Sequence, residues 1–368
     1  MQNLKIWNYL SLPWMLLALF FFASFIFLAF FKGTQIEYLT TNYLLGLFKN
    51  TFVLSFLTAF ISVLIAMPLA ILVTFYNFPG KKFFSWSLSL SIAFPAYVYA
   101  FIYVGIFEYS SPISGYLRDF GITLPSIKNL FGASIILSMA LFPYIYLLLR
   151  VKLASVGLDL FRAAKSLGNN NTASIFKVII PSLLPVVVAG MTLVIFETIA
   201  DFGGVSTLRI ETFTVGIYNA WFGYQSYFSA ARLAGYLLMF VFVIIFIAKF
   251  YESKQSNLAQ KTSEVFDGIE LVHYKSFLAT LYCSVIFTIV FLIPLAQLLI
   301  WSFAENNLLS IDNIYLFLNS FILGIIVSVI TVFFGITLAL AYRNEKKLRL
   351  IISLTTSGYA IPGSVISA

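Results

Sequence analysis

The sequence predicts an all-α protein that crosses a membrane about nine times. Three observations predict it. Apolar residues make up 61% of the 368-residue chain and charged residues only 10%, whereas a soluble domain carries about 25% charged residues. Apolar runs of about 18 residues or more, each enough to span a bilayer as a helix, recur along the whole chain. One pattern of apolar helix, basic loop and proline occurs twice, which marks an internal repeat.

The runs fall at about 13–31, 51–76, 84–107, 132–149, 179–200, 229–248, 276–302, 314–342 and 350–368. The first is too long for a cleaved signal, and no small-residue cleavage site follows it. With the N-terminus in the cytoplasm, 16 of the 22 Lys and Arg residues lie in cytoplasmic segments and 6 on the other side. That bias predicts a multi-pass protein of the inner, or plasma, membrane with a cytoplasmic N-terminus. For a membrane chain the net charge of +8 therefore reports orientation rather than nucleic-acid binding. The single Cys283 lies in an apolar run and reads as an inert buried thiol. The single His273 lies in a polar segment, so no metal cluster is expected from Cys or His.

The repeat links "NTFVLSFLTAFISVLIAMPLA" from Asn50 to "NSFILGIIVSVITVFFGITLA" from Asn319. Each copy leads through a short basic loop to a further apolar run, which contains "AFPAYV" at Ala93–Val98 or "AIPGSV" at Ala360–Val365. Pro95 and Pro362 either kink their helices and free carbonyls toward a path, or serve as plain packing kinks. The organisation read from this is an N-terminal segment with the first span (1–42), a first half (43–250), a polar linker (251–275) and an incomplete second half (276–368). The counterpart of Arg162 would fall beyond the chain, at about position 430 by the repeat offset. Repeats of this kind place a path at the interface between their halves.

Between the fourth and fifth runs, the loop 151–181 contains "FRAAKSLGNNNTASIFKVIIP". Leu158 to Leu167 predicts a short helix, closed by Gly168 in the left-handed conformation. Asn171 or Thr172 is expected to cap the next helix, and Pro181 to mark the membrane boundary. Ala163 and Ala164 let another surface approach closely, while Arg162 and Lys165 keep the helix wet. Beyond the fifth run, Glu197 and Asp201 are four residues apart and share a helix face. Carboxylates at the end of a span are costly unless paired or facing water. They read either as path groups, whose oxygens suit a hard cation, or as partners of Arg209 or Arg232.

The loop resembles that of ABC importer permeases, which carry Glu-Ala-Ala, three residues, Gly, nine residues, then Ile-x-Leu-Pro. Here these positions are Arg162-Ala163-Ala164, Gly168 and Val178-Ile179-Ile180-Pro181. The spacing matches and the Glu position is reversed in charge, with Asp159 one turn earlier as a partial substitute. The resemblance implies a type I permease-like fold whose loop inserts into an ATP-binding partner subunit. A second segment, "ETIADFGGVSTLRIETFTVGIYNAWFG" from Glu197, resembles the ferric-iron importer permeases. The matching residues are Ala200-Asp201-Phe202-Gly203, Thr212-Phe213-Thr214, Gly216-Ile217-Tyr218 and Ala220-Trp221-Phe222. Glu197, Asp201, Thr212, Thr214, Tyr218 and Trp221 are therefore candidates for the path or the outer loops.

Implied partners are ABC ATPase subunits, an external substrate-binding protein, and a second permease half or copy. Related permeases carry thiamine, polyamines or sulfate, which are the alternative cargoes. An inactive fragment of a fused-permease gene is the other alternative. No Gly-x-x-x-x-Gly-Lys-Ser/Thr loop occurs, so ATP is expected on a partner and no cofactor on this chain. No His-Glu-x-x-His, Gly-x-Ser-x-Gly or Cys-x-x-Cys occurs either, so no enzyme and no certain metal site are expected.

Overall fold

The computed structural model describes residues 40–252, 268–304 and 310–344 continuously, with single positions between 12 and 27 and at 352 and 363. In order, the elements are α1 (Thr41–Phe75), β1 (Tyr76–Asn77), α2 (Lys81–Ser87), α3 (Ala96–Phe107), α4 (Pro112–Asp119) and α5 (Leu130–Lys152). Then come α6 (Leu158–Ser166), α7 (Asn171–Ser174), α8 (Ile180–Ala200), α9 (Gly203–Thr207), α10 (Phe213–Tyr218) and α11 (Tyr227–Glu252). The second part contributes β2 (Ile269–Glu270), α12 (Tyr274–Phe287), α13 (Ile293–Ala304) and α14 (Ile311–Asn344).

Six helical stretches among the described residues are long and apolar enough to cross a membrane. A seventh is broken. The run expected at 84–107 as one span is two helical pieces, Lys81–Ala93 and Ala96–Asp119, bent by 89°. The cause is local: α2 tightens into a 3₁₀ turn over Leu88–Ala93, and Pro95 precedes α3 in an extended conformation. Pro95 has no N–H to continue a helix. The Ser91 carbonyl, four residues before Pro95, accepts instead from the Tyr99 hydroxyl at 3.1 Å, and the Ser85 carbonyl accepts from the Tyr146 hydroxyl at 2.9 Å and from Arg150. The expected spans at 13–31 and 350–368, with Pro362, lie outside the continuously described residues.

The core forms where α1, α5 and α8 meet. Small residues make that contact possible, as they do between helices in lipid. A Cβ placed on Gly190 of α8 would lie 3.1 Å from the Ile145 side chain of α5. On α1 the buried seam is Thr51, Ser55, Ala59, Ser62, Ala66 and Ala70.

The helical stretch 274–304 packs on the residues that precede the 251–275 linker. β1 and β2 pair in parallel, Tyr76 with Ile269 and Asn77 with Glu270. Thr280 donates to the Pro79 carbonyl at 3.0 Å. Further along, Phe291 meets Phe94, and Trp301 meets Phe101. At the other extreme of the chain, Met15 is buried in a cluster with Ala341 and Ile352.

Candidate functional site

Two places stand out, one at the loop end of the bundle and one inside it. At the loop end, α5 passes through a π turn (Leu153–Gly157) into α6. Gly168 adopts φ +86°. Its N–H bonds the Lys165 carbonyl at 3.0 Å, and the Asn169 N–H bonds the Ala164 carbonyl at 3.1 Å. That pair of bonds closes the helix as a Schellman motif, which strongly favours Gly at its left-handed position. The cap of α7 is Asn170, one residue earlier than expected, whose side chain accepts from the Ala173 N–H at 2.7 Å. Asn170 has the extended backbone an N-cap needs, while Asn171 and Thr172 are already helical.

The knob has an inner and an outer face. Ala164 is buried, and Phe161 packs its ring on Phe75. Ala163, Asp159, Arg162 and Lys165 are exposed. Of the two alanines expected to let another surface approach, only Ala163 is exposed, because Ala164 turns inward on the same side as Phe161. Two exposed apolar side chains escaped the sequence reading, Leu167 at 82% and Phe176 at 66% exposure. Their flanking Gly and Lys residues made them look like ordinary loop. Pro181 lies within a helical stretch from Asn171 to Ala200. A π turn at Ile175–Ile179 precedes it and absorbs the N–H that proline lacks.

Inside the bundle, a cavity of about 310 Å³ opens beside the Pro95 corner. Pro95, Tyr97, Tyr144, Glu197, Asp201 and Phe202 border it, and no Lys or Arg does. Glu197 lies in the last turn of α8 and shares the cavity wall with Tyr144. Asp201 is not on that helix face. α8 ends at Ala200, and Asp201 caps it in an extended conformation. Its carboxylate turns forward to accept from the Val205 N–H at 2.9 Å. The two acids thus reach one cavity from a helix and from its cap.

The two threonines of the following segment are buried braces rather than lining groups. Thr214 donates to the Asp201 carbonyl at 2.9 Å, with Thr212 2.9 Å from it. Thr51 accepts from the Phe213 N–H at 3.1 Å, and Asn50 donates to the Glu211 carbonyl at 2.9 Å. These bonds tie α10 to the start of α1. Tyr218 lies against Phe202 and Phe222, and Trp221 meets Tyr227 edge-on. Among the described residues, no three His, Cys, Asp or Glu side chains are grouped to hold a metal ion.

The far end of the bundle carries a second cavity of about 340 Å³. Lys128 pairs with Glu108 at 3.0 Å there, and the Arg118 guanidinium lies 3.8 Å from the centre of the Tyr109 ring.

The architecture is that of a helical membrane protein, and the family match gives its class as a permease component of an ABC importer. The chain belongs to the family described as binding-protein-dependent transport system inner membrane component, which matches residues 62–264. It is similar to the Fe(3+)-transport system permease protein FbpB 2 of Haemophilus influenzae, at 24% identity over 342 residues. That match covers 90% of this chain and 64% of the relative, so the chain spans less than two thirds of that relative's length. It is also similar to the sulfate transport system permease protein CysT of Escherichia coli, 24% identical over 46% of this chain and 60% of the relative. The molybdenum transport system permease protein ModB of Haemophilus influenzae is 26% identical over 56% of this chain and 93% of its own length. A solved structure of an amino acid ABC transporter with histidines superposes with TM-score 0.44 at 18% identity, over 60% of this chain and all of that one.

Proposed function

We propose that this chain is a transmembrane permease subunit of an ATP-driven importer, and that its cargo is ferric iron. The knob carries the first part of this reading. A short helix with a Schellman close, an exposed Ala163 and an exposed Leu167 offers a cleft on an ATPase both close approach and an apolar anchor. In this proposal the knob is cytoplasmic, and the far end with Arg118 and Lys128 meets the substrate-binding protein. ATP-driven closure of two ATPase subunits pushes the knob, and the bundle changes the side to which the cavity opens. Such a push biases the bundle only if the knob is held differently in its two states.

The cargo assignment draws on the cavity. Two carboxylates and no Lys or Arg border it. A sulfate or molybdate ion there would meet like charge where little water screens it, while a hard cation would meet oxygen ligands. The similarity to FbpB 2 extends over 90% of the chain, against about half for the sulfate and molybdenum permeases. A second permease half or copy would complete the path.

Two measurements test the proposal, in cells supplying the partner subunits and a complete second half. Glu197→Gln with Asp201→Asn should reduce radiolabelled iron uptake at least about tenfold, the equivalent of about 1.4 kcal/mol, and leave ATPase binding intact. Unchanged iron uptake, with lost sulfate or molybdate uptake, would reassign the cargo. Gly168→Val puts a β-branched residue at φ +86°, a strain of about 1–2 kcal/mol. It should uncouple ATP hydrolysis from uptake; normal coupling in that variant counts against the knob.

A further inference from the structure

The helix that opens the second repeat has a local defect, and the first half repairs it. Pro294 sits in the apolar stretch of α12 and α13. It has no N–H, so a carbonyl four or five residues earlier loses its helical donor. Those carbonyls belong to Val290 and Ile289. The chain answers with a π turn at Thr288–Leu292, in which the Ile293 N–H reaches back to the Thr288 carbonyl. An unpaired carbonyl within a bilayer is costly.

Two tyrosines one turn apart on α3 supply the missing donors. The Tyr99 hydroxyl donates to the Val290 carbonyl at 2.6 Å, the shorter of its two contacts, the other being the Ser91 carbonyl at 3.1 Å. The Tyr103 hydroxyl donates to the Ile289 carbonyl at 2.5 Å. Tyr99 is fully buried and Tyr103 nearly so. Rings flank the pair on both sides, Phe94 on Phe291 and Phe101 on Trp301. The Trp301 ring would lie 3.0 Å from a Cβ on Gly105. α3 begins immediately after Pro95, the corner that borders the carboxylate cavity.

We propose that Tyr99 and Tyr103 are positioning residues that latch the 274–304 helix to α3, so that this helix and the Pro95 wall of the cavity move as one body. The proposal rests on the reading of the cavity as the transport path for its functional meaning, but the latch itself is a property of this chain alone. In mechanical terms the helix then belongs to the first half, although in sequence it opens the second. The boundary across which the halves slide falls after Ala304 and not at the 251–275 linker.

Dipolar EPR on the full chain in lipid nanodiscs tests this without any partner subunit. Spin labels replace the exposed Tyr97 and Ile300 in a Cys283→Ser background. The parent should give one narrow distance distribution. Tyr99→Phe with Tyr103→Phe should broaden it, raising the released population by about threefold to tenfold per hydroxyl removed. Pro294→Ala restores the helical N–H, so in that background the same Phe pair should leave the distribution narrow. An unbroadened Phe pair, or equal broadening with and without Pro294→Ala, would overturn the latch. If the double variant does not insert, Tyr103→Phe alone gives the same comparison at single-hydroxyl strength. A failed latch leaves ATPase coupling and iron uptake untouched as tests of function, and their failure leaves the latch standing.

Discussion

α1 and α14 carry a similar sequence pattern, and they live in different surroundings. Each carries an Asn ten residues or fewer from its start, and a small residue every three or four positions. The α1 seam of Thr51, Ser55, Ala59, Ser62, Ala66 and Ala70 is matched at the repeat offset by Ser320, Gly324, Ser328, Thr331, Gly335 and Ala339. In α1 these side chains are buried against α5 and α8. In α14 all six are exposed. Of the most apolar window, 39% is buried in α1 and 6% in α14. The difference teaches that a small-residue seam only permits close packing; the neighbouring helices create the burial.

Paired substitutions break or sharpen this comparison. The largest difference should come from Ala59→Leu against its counterpart Ser328→Leu. Ala59 has no exposed surface, and extra volume in a packed contact costs about 1–3 kcal/mol. Ser328→Leu should change stability by less than about 0.5 kcal/mol, as exposed sites do. Thermal unfolding of both variants in one detergent measures the gap, and equal losses would mean that α14 is covered after all. A smaller effect, but of opposite sign, should separate Gly190→Ala from Gly335→Ala. A Cβ at Gly190 presses on Ile145 at 3.1 Å, while one at Gly335 meets nothing within 4 Å. The first should cost about 1 kcal/mol by overpacking. The second should gain about 0.5–1 kcal/mol from helix propensity. Two shifts of the same sign would remove the distinction between the helices.

Much of the fold was legible because lipid imposes a simple rule. Every described span coincides with an apolar run, since backbone groups there must be satisfied within a helix. The Gly168 turn was legible too, because one residue type dominates a left-handed helix close. What escaped depends on partners far away in sequence. Nothing around Tyr99 announces that its hydroxyl meets Val290. The nearest signal was Pro294 inside an apolar run, paired with tyrosines four residues apart in another. Pro95 could be read as a kink, but not as a corner of 89°. The carboxylates show the limit of periodicity. Spacing put Glu197 and Asp201 on one helical face, yet the helix stops at Ala200 and Asp201 reaches the cavity from the cap. Facing was equally hard to read at Ala163 and Ala164, where adjacent positions of identical type divide between solvent and core.

The docking of residues 274–304 against the segment from Pro79 to Gly105 bears on how the chain is born. Ribosomes add about 5–20 residues each second, so seconds separate the emergence of α11 from that of Ala304. Throughout that interval the face of α3 that receives residues 289–301 is uncovered, and Tyr99 has no Val290 carbonyl to greet. A ribosome paused within the linker would leave α3 without that partner helix for as long as the pause lasts.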